Sequence, residues 1–144
     1  MDRADLLGFL RLRKWAVQGS VSPLGAPQAA LVGFAVTDRL EIVFDTLEST
    51  RKAANLRANS RIAFVIGGWF DGDERTVQYE GLADFPGGDE LQGIKNTYFA
   101  AFPDGPAREA WPGITYVRTK PLWIRYSNFN TSPPEVSEWR FQEE

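Results

Sequence analysis

The 144-residue chain contains no cysteine and no histidine. Their absence excludes disulfides, thiol nucleophiles, Ser-His-Asp and Cys-His machinery and the common zinc sites, all of which need a thiolate or an imidazole. It also removes the side chain best suited to moving protons near neutral pH. Any catalysis then falls to carboxylates, Lys, Tyr or a bound cofactor, and a cofactor asks of the protein only binding, orientation and electrostatics. Gly-x-Gly-x-x-Gly, Walker-type and Gly-x-Ser-x-Gly motifs are missing as well. No apolar run approaches a membrane span, and the cluster Leu6, Leu7, Phe9, Leu10 and Leu12 is too short and too flanked by charge for a signal sequence, so a cytoplasmic protein is expected. A net charge of −3 offers nothing to nucleic acid or to an anionic membrane, and neither is an expected partner.

What is present suits one domain over 1–144, large enough to bury roughly 70% of the surface its unfolded chain exposes. Leu6, Phe9 and Leu10 at helical spacing predict a short amphipathic helix over 2–14. Residues 15–22 alternate, with Trp15, Val17, Gly19 and Val21 on one face and Ala16, Gln18, Ser20 and Ser22 on the other. A Pro/Gly turn follows. Residues 28–36 are apolar on both faces and predict a strand buried on both sides; with a third strand over 40–45 they form a meander. Further strands are predicted over 61–66 and 75–84, the latter with Val77, Tyr79, Gly81 and Ala83 on one face. A second helix spans 89–101, and a last strand pair, 114–118 and 122–127, is interrupted at Pro121. The tail, 128–144, carries Pro133-Pro134 and is read as extended over the surface or a neighbouring subunit. Six to seven mostly antiparallel strands with short helices make a mainly β protein, a small β-barrel rather than a two-sheet sandwich.

One stretch breaks an electrostatic rule. Ser49 and Thr50 are good N-cap residues and Ala53, Ala54 and Leu56 are good helix formers, so a helix of about two turns starts near Ser49. Its first turn carries Arg51 and Lys52. A helix N-terminus behaves as a partial positive charge, so two cations there are mildly destabilising unless an anion sits among them. Backbone N–H groups, hydroxyls and two cations at one place would hold a phosphate; both side chains swinging into water is the alternative.

Other candidates are weaker. Asp71-Gly72-Asp73-Glu74 lacks the ligand spacing of a calcium loop and reads as a solvated hairpin tip, so no metal site is expected. Trp69, Trp111, Trp123, Tyr98 and Tyr126 could stack on a planar ligand or pack in a core.

The order of elements resembles the pyridoxamine 5'-phosphate oxidase-like split β-barrel flavoproteins. The matching residues are the strand Leu40-Glu41-Ile42-Val43-Phe44-Asp45-Thr46, then Ser49-Thr50-Arg51-Lys52-Ala53 with Asn55-Leu56 and Asn59, then Arg61 to Val65 and Glu74 to Ala83. The segment 17–28 is similar to the family's first hairpin. The resemblance covers roughly residues 5–127. It implies a split β-barrel of the FMN-binding type in which Arg51 and Lys52 bind the FMN phosphate with Ser49 and Thr50 beside them. It also implies that Thr46 lies near the cofactor and that backbone groups around Leu31 and Val32 run along the isoalloxazine. Thr76 stands where the oxidases proper carry Gln, and Gln78 lies on the same face of that strand. The flavin would sit between the subunits of a homodimer. Two features depart from the oxidases proper: Phe102 replaces an Arg that holds their substrate's phosphate, and the C-terminal Arg-x-His element has no His here. The resemblance therefore does not extend to a vitamin-B6 oxidase.

The resemblance implies an FMN-binding oxidoreductase acting on an unidentified small molecule. A deazaflavin-dependent reductase of the same superfamily, a non-catalytic flavin-binding or stress protein, and a barrel that has lost its ligand are the competing readings.

Overall fold

A computed structural model describes residues 1–68 and 70–142. The first helix, α1 (Arg3–Arg11), is set by a capping box: Asp2 Oδ1 accepts from the Asp5 N–H at 2.8 Å and Asp5 Oδ2 from the Asp2 N–H at 3.0 Å. It buries Leu6, Phe9 and Leu10, each contributing roughly 1.5–3 kcal/mol relative to exposure.

Strands β1 (Trp15–Val21) and β2 (Pro27–Gly33) form a hairpin, and β3 (Ala35–Val36) pairs with β4 (Ile42–Leu47). Helix α2 (Arg51–Ala58) leads to β5 (Arg61–Gly67) and β6 (Arg75–Asp84), then to α3 (Gly88–Ala101), the one-turn α4 (Gly105–Arg108), β7 (Ile114–Asn128) and β8 (Glu135–Arg140). The sheet runs β2-β1-β5-β6-β7-β4-β3, with β8 added alongside β7. Every pairing is antiparallel. Its two end strands, β2 and β3, are separated in the chain only by Phe34, so the sheet curls round until one continuous segment joins its two ends. Beyond the short β3·β4 pair, β2 and β4 part company, and this leaves a slit in the barrel wall.

The interior is filled by Phe44, Phe64 and Tyr79 in an edge-to-face chain, with centroids 6.1 Å and 5.6 Å apart. The Tyr79 hydroxyl donates to the Leu40 carbonyl at 2.7 Å and lies 3.1 Å from that of Thr119. Burial pushes its ionisation well above the ordinary phenol range. No helix among the described residues is long and apolar enough to cross a membrane.

The mainly β split barrel agrees with the sequence reading, and three details do not. Segment 28–36 is not one strand buried on both sides: it divides at Phe34, and β2 is an edge strand whose Leu31 is 61% exposed. The meander is not formed, because β2 pairs with β1 and its continuation β3 with β4, at opposite ends of the sheet. Pro121 does not interrupt the last strand. Glu80 pairs with Trp123 and Gly81 with Pro121, so Leu122 is a bulged residue, which is how a sheet takes a proline that cannot donate. Gly81 permits the close approach, since a Cβ there would collide with the Lys120 carbonyl and sit 2.7 Å from the Thr119 methyl. Residues 135–140 of the tail, read as extended, run alongside β7 as β8, while Glu143 and Glu144 lie outside the described residues.

Candidate functional site

The slit is where the sequence-predicted phosphate ligands gather. The N-cap of α2 is Thr50, whose hydroxyl accepts from the Ala53 N–H at 3.3 Å and donates to the Leu47 carbonyl at 2.7 Å. With that proton committed, the Thr46 hydroxyl, 3.2 Å away, must be the donor between the two threonines. Both hydroxyls thus serve the helix start, and Ser49 is exposed. The anion-seeking groups that remain are the Arg51 and Lys52 side chains and their backbone N–H groups, which occupy the first two helical positions and have no intrahelical acceptor.

Neither Arg51 nor Lys52 forms an ion pair among the described residues. The nearest carboxylates in sequence are already taken. Glu48 is bound by Arg57, whose Nε donates at 3.0 Å. Asp45 accepts from Arg108 Nε at 2.8 Å and from the Tyr98 hydroxyl at 3.0 Å. Burial without a partner pulls the Lys52 ammonium below its usual range, so positive charge is left without compensation at the slit.

Opposite the helix start lies the inward face of the β1–β2 hairpin. Gln18, Ser20, Gln28, Ala29 and Ala30 join Thr50, Arg51 and Lys52 around a depression of about 110 Å³. Helix α2 is fastened to this wall by Asn55, whose Nδ2 donates to Ser20 Oγ at 3.1 Å and to Gln28 Oε1 at 2.9 Å. Gln18 is 1% exposed, and its Oε1 has no hydrogen-bond partner among the described residues. Three of these polar residues, Gln18, Gln28 and Asn55, were not among the sequence candidates. For Gln18 the available signal was the polar half of the β1 alternation, which proves to be the inward half; Asn55 and Gln28 stood among the residues that carry the resemblance, without a role.

The remaining candidates lie elsewhere on the chain. Val32 is buried and faces inward opposite Ala16, while Leu31 faces outward opposite Val17. Gln78 is exposed on the outer face, in a cross-strand row with Leu31, Val17 and Val65. Thr76, two residues before it on β6, shares that face. Within one chain Thr76 and Gln78 do not line the depression. Of the aromatic candidates, Tyr98 and Tyr126 are buried, Trp111 is 52% exposed and Trp123 is half-buried on the outer face beside Gln78; Trp69 lies outside the described residues. The Asp73 carboxylate is occupied by Arg75 and Arg13. Phe102 is buried, stacked on Tyr98 with centroids 4.8 Å apart, and packs against Gly33.

A curled antiparallel sheet left open at one slit, with a short helix starting at its lip and apolar residues on its outer face, is a split β-barrel. The chain belongs to the pyridoxamine 5'-phosphate oxidase family, whose model matches residues 4–128. No curated protein matches the sequence significantly. Among solved structures, a heme binding protein from Mycobacterium smegmatis superposes with a TM-score of 0.78 at 14% identity, over 95% of this chain and 58% of that one. HutZ, the heme storage protein of Vibrio cholerae, gives 0.71 at 12% identity, over 96% and 93%. A pyridoxamine 5'-phosphate oxidase-related FMN-binding protein from Nostoc punctiforme gives 0.65 at 13%, over 98% and 96%. This chain therefore spans little more than half of the first of these and nearly all of the other two. At such identities the likeness concerns the fold.

Proposed function

We propose that the chain is an FMN-binding oxidoreductase acting on a small molecule as a homodimer, with the flavin at the subunit interface and its phosphate at the start of α2. The observation that carries this reading is the pair Arg51 and Lys52, two uncompensated cations at a helix N-terminus whose neighbouring carboxylates are bound elsewhere. A phosphate ester supplies the missing negative charge and accepts from the free N–H groups. The depression admits a phosphate and a short chain but not a tricyclic ring, which must lie outside it along β2. That strand has one unpaired edge, and a free edge presents a row of backbone donors and acceptors. Residues Leu31, Val17 and Val65 supply an apolar surface on the outer face, with Leu31 61% and Val65 45% exposed, of the kind a second subunit covers.

Bound FMN would contribute hydride transfer at N5. The chain's part is to clamp the phosphate, hold the ring against strand backbone and exclude water with apolar walls. Heme, which two of the structural neighbours are named for, fits less well, because this chain has neither the His nor the Cys that commonly ligate its iron. The test is the absorption spectrum of the purified protein before and after FMN addition, followed by NAD(P)H. Flavin bands that survive gel filtration and bleach on reduction support the proposal. If no FMN is retained, it falls; if FMN is retained but no donor reduces it, the flavin-storage reading replaces it.

A further inference from the structure

The buried side-chain oxygen of Gln18 has no place in the hydrogen-bond networks of the described residues. At 1% exposure its Oε1 lacks a hydrogen-bond partner among the described residues, whereas the neighbouring polar residues of the same wall, Ser20 and Gln28, both accept from Asn55. An unmet buried acceptor costs about 1–3 kcal/mol, and a Leu or Met of similar volume at this position would avoid that cost. Gln18 lines the depression that also holds Arg51 and Lys52, so its carboxamide borders the same space as the cationic donors, with Oε1 itself turned away from solvent. Orthophosphate answers the cations but brings few protons of its own. A phosphate carried on a polyol answers both, since its phosphate meets the cations and an adjacent hydroxyl can donate to a carboxamide oxygen.

We propose that Gln18 is a ligand-binding residue that selects a phosphorylated polyol chain over bare phosphate by accepting a hydrogen bond from a chain hydroxyl. This deepens the FMN reading, in which the ribityl phosphate is that chain, and rests on it for the identity of the ligand. The role is separable from folding. Removing an orphaned acceptor leaves the ligand-free protein as stable or more stable, while removing a structural hydrogen bond would destabilise it.

The test uses the full-length protein, ¹⁵N-labelled, with the Gln18 side-chain amide pair assigned by its loss in Gln18→Leu, or in Gln18→Met if the first variant does not fold. FMN, ribitol 5-phosphate and inorganic phosphate are titrated separately. The inference expects FMN and ribitol 5-phosphate to shift the Gln18 amide pair, and Gln18→Leu to weaken both about tenfold, the loss of one good hydrogen bond. It also expects phosphate affinity within about twofold of the parent and an unchanged or raised melting temperature without ligand. If FMN binds parent and variant equally, or leaves the Gln18 pair unmoved, the inference is overturned and the FMN reading stands. If FMN fails to bind while ribitol 5-phosphate still shifts Gln18 and is weakened by the variant, the flavin reading falls and Gln18 keeps its role. Binding of neither ester overturns both.

Discussion

Asn55 Nδ2 donates to Gln28 Oε1 at 2.9 Å, joining helix α2 to the β1–β2 hairpin across the slit. The same amide nitrogen reaches Ser20 Oγ at 3.1 Å, and Asn55 is 4% exposed. One side chain thus holds the two walls of the candidate site at a fixed separation. Asn55→Leu removes both donations and strands their acceptors, so it should cost about 1–3 kcal/mol of stability in urea unfolding. Ligand affinity should fall with it because the walls are no longer held together.

Arg51 and Lys52 should behave in the opposite way. With no ion pair to lose among the described residues, Arg51→Ala with Lys52→Ala should leave thermal stability within about 0.5 kcal/mol or raise it, since two cations leave a helix N-terminus. Flavin binding, followed by fluorescence quenching, should weaken by roughly 2–4 kcal/mol for the loss of two charge-assisted contacts. Full retention of FMN affinity in the double variant would remove the basis of the phosphate assignment.

Asp45 and Arg108 clasp α4 to β4, with side chains 13% and 18% exposed and the Tyr98 hydroxyl as a third member. The carboxylate holds the Arg108 guanidinium well above its usual range. Arg108→Met should cost about 1–3 kcal/mol, most of it from leaving Asp45 short of a partner. In the double variant with Asp45→Asn much of that loss should return, and a double-mutant cycle by chemical denaturation measures the coupling.

Asp73 governs acid stability at the other end of the barrel. Arg75, through Nε at 2.7 Å, and Arg13, at 3.3 Å, hold its carboxyl at about 2, below its ordinary value of 3.8. A depressed carboxyl stabilises the fold above its unfolded value and loses that contribution as pH falls through the folded one. Melting temperature should therefore decline between pH 4 and pH 2 more steeply in the parent than in Asp73→Asn. The difference at neutral pH should be no more than about 1 kcal/mol, because solvent screens the cluster.

Leu31 tests the proposed homodimer. Placing a charge on the apolar row with Leu31→Glu should shift the protein from dimer to monomer in analytical ultracentrifugation and lower FMN retention with it. The monomer's melting temperature should change little, because the side chain is 61% exposed within one chain. A dimer that survives Leu31→Glu would place the interface elsewhere.

Local signals in the sequence determined a good deal. Strand β6 was read at its observed bounds, since Val77, Tyr79, Gly81 and Ala83 alternate and are the buried set. The start of α2 was legible from Ser49-Thr50 and the oddly placed cations, because capping and dipole effects act within one turn. What needed the tertiary structure is whatever depends on long-range pairing. Alternation in β1 is symmetric to exchange of its two faces, so the sequence did not reveal that Gln18 and Ser20 point inward; the register with β2 and β5 decided it. Segment 28–36 looked uniformly apolar because β2 presents Leu31 outward and Val32 inward, and only barrel closure through Phe34 makes one half an edge strand and the other a partner of β4. Pro121 looked like a break until Gly81 opposite it allowed a bulge. The proposed phosphate clamp is written in fifteen consecutive residues, 45–59, whereas its opposite wall comes from residues 18–30 and exists only once the sheet has curled round.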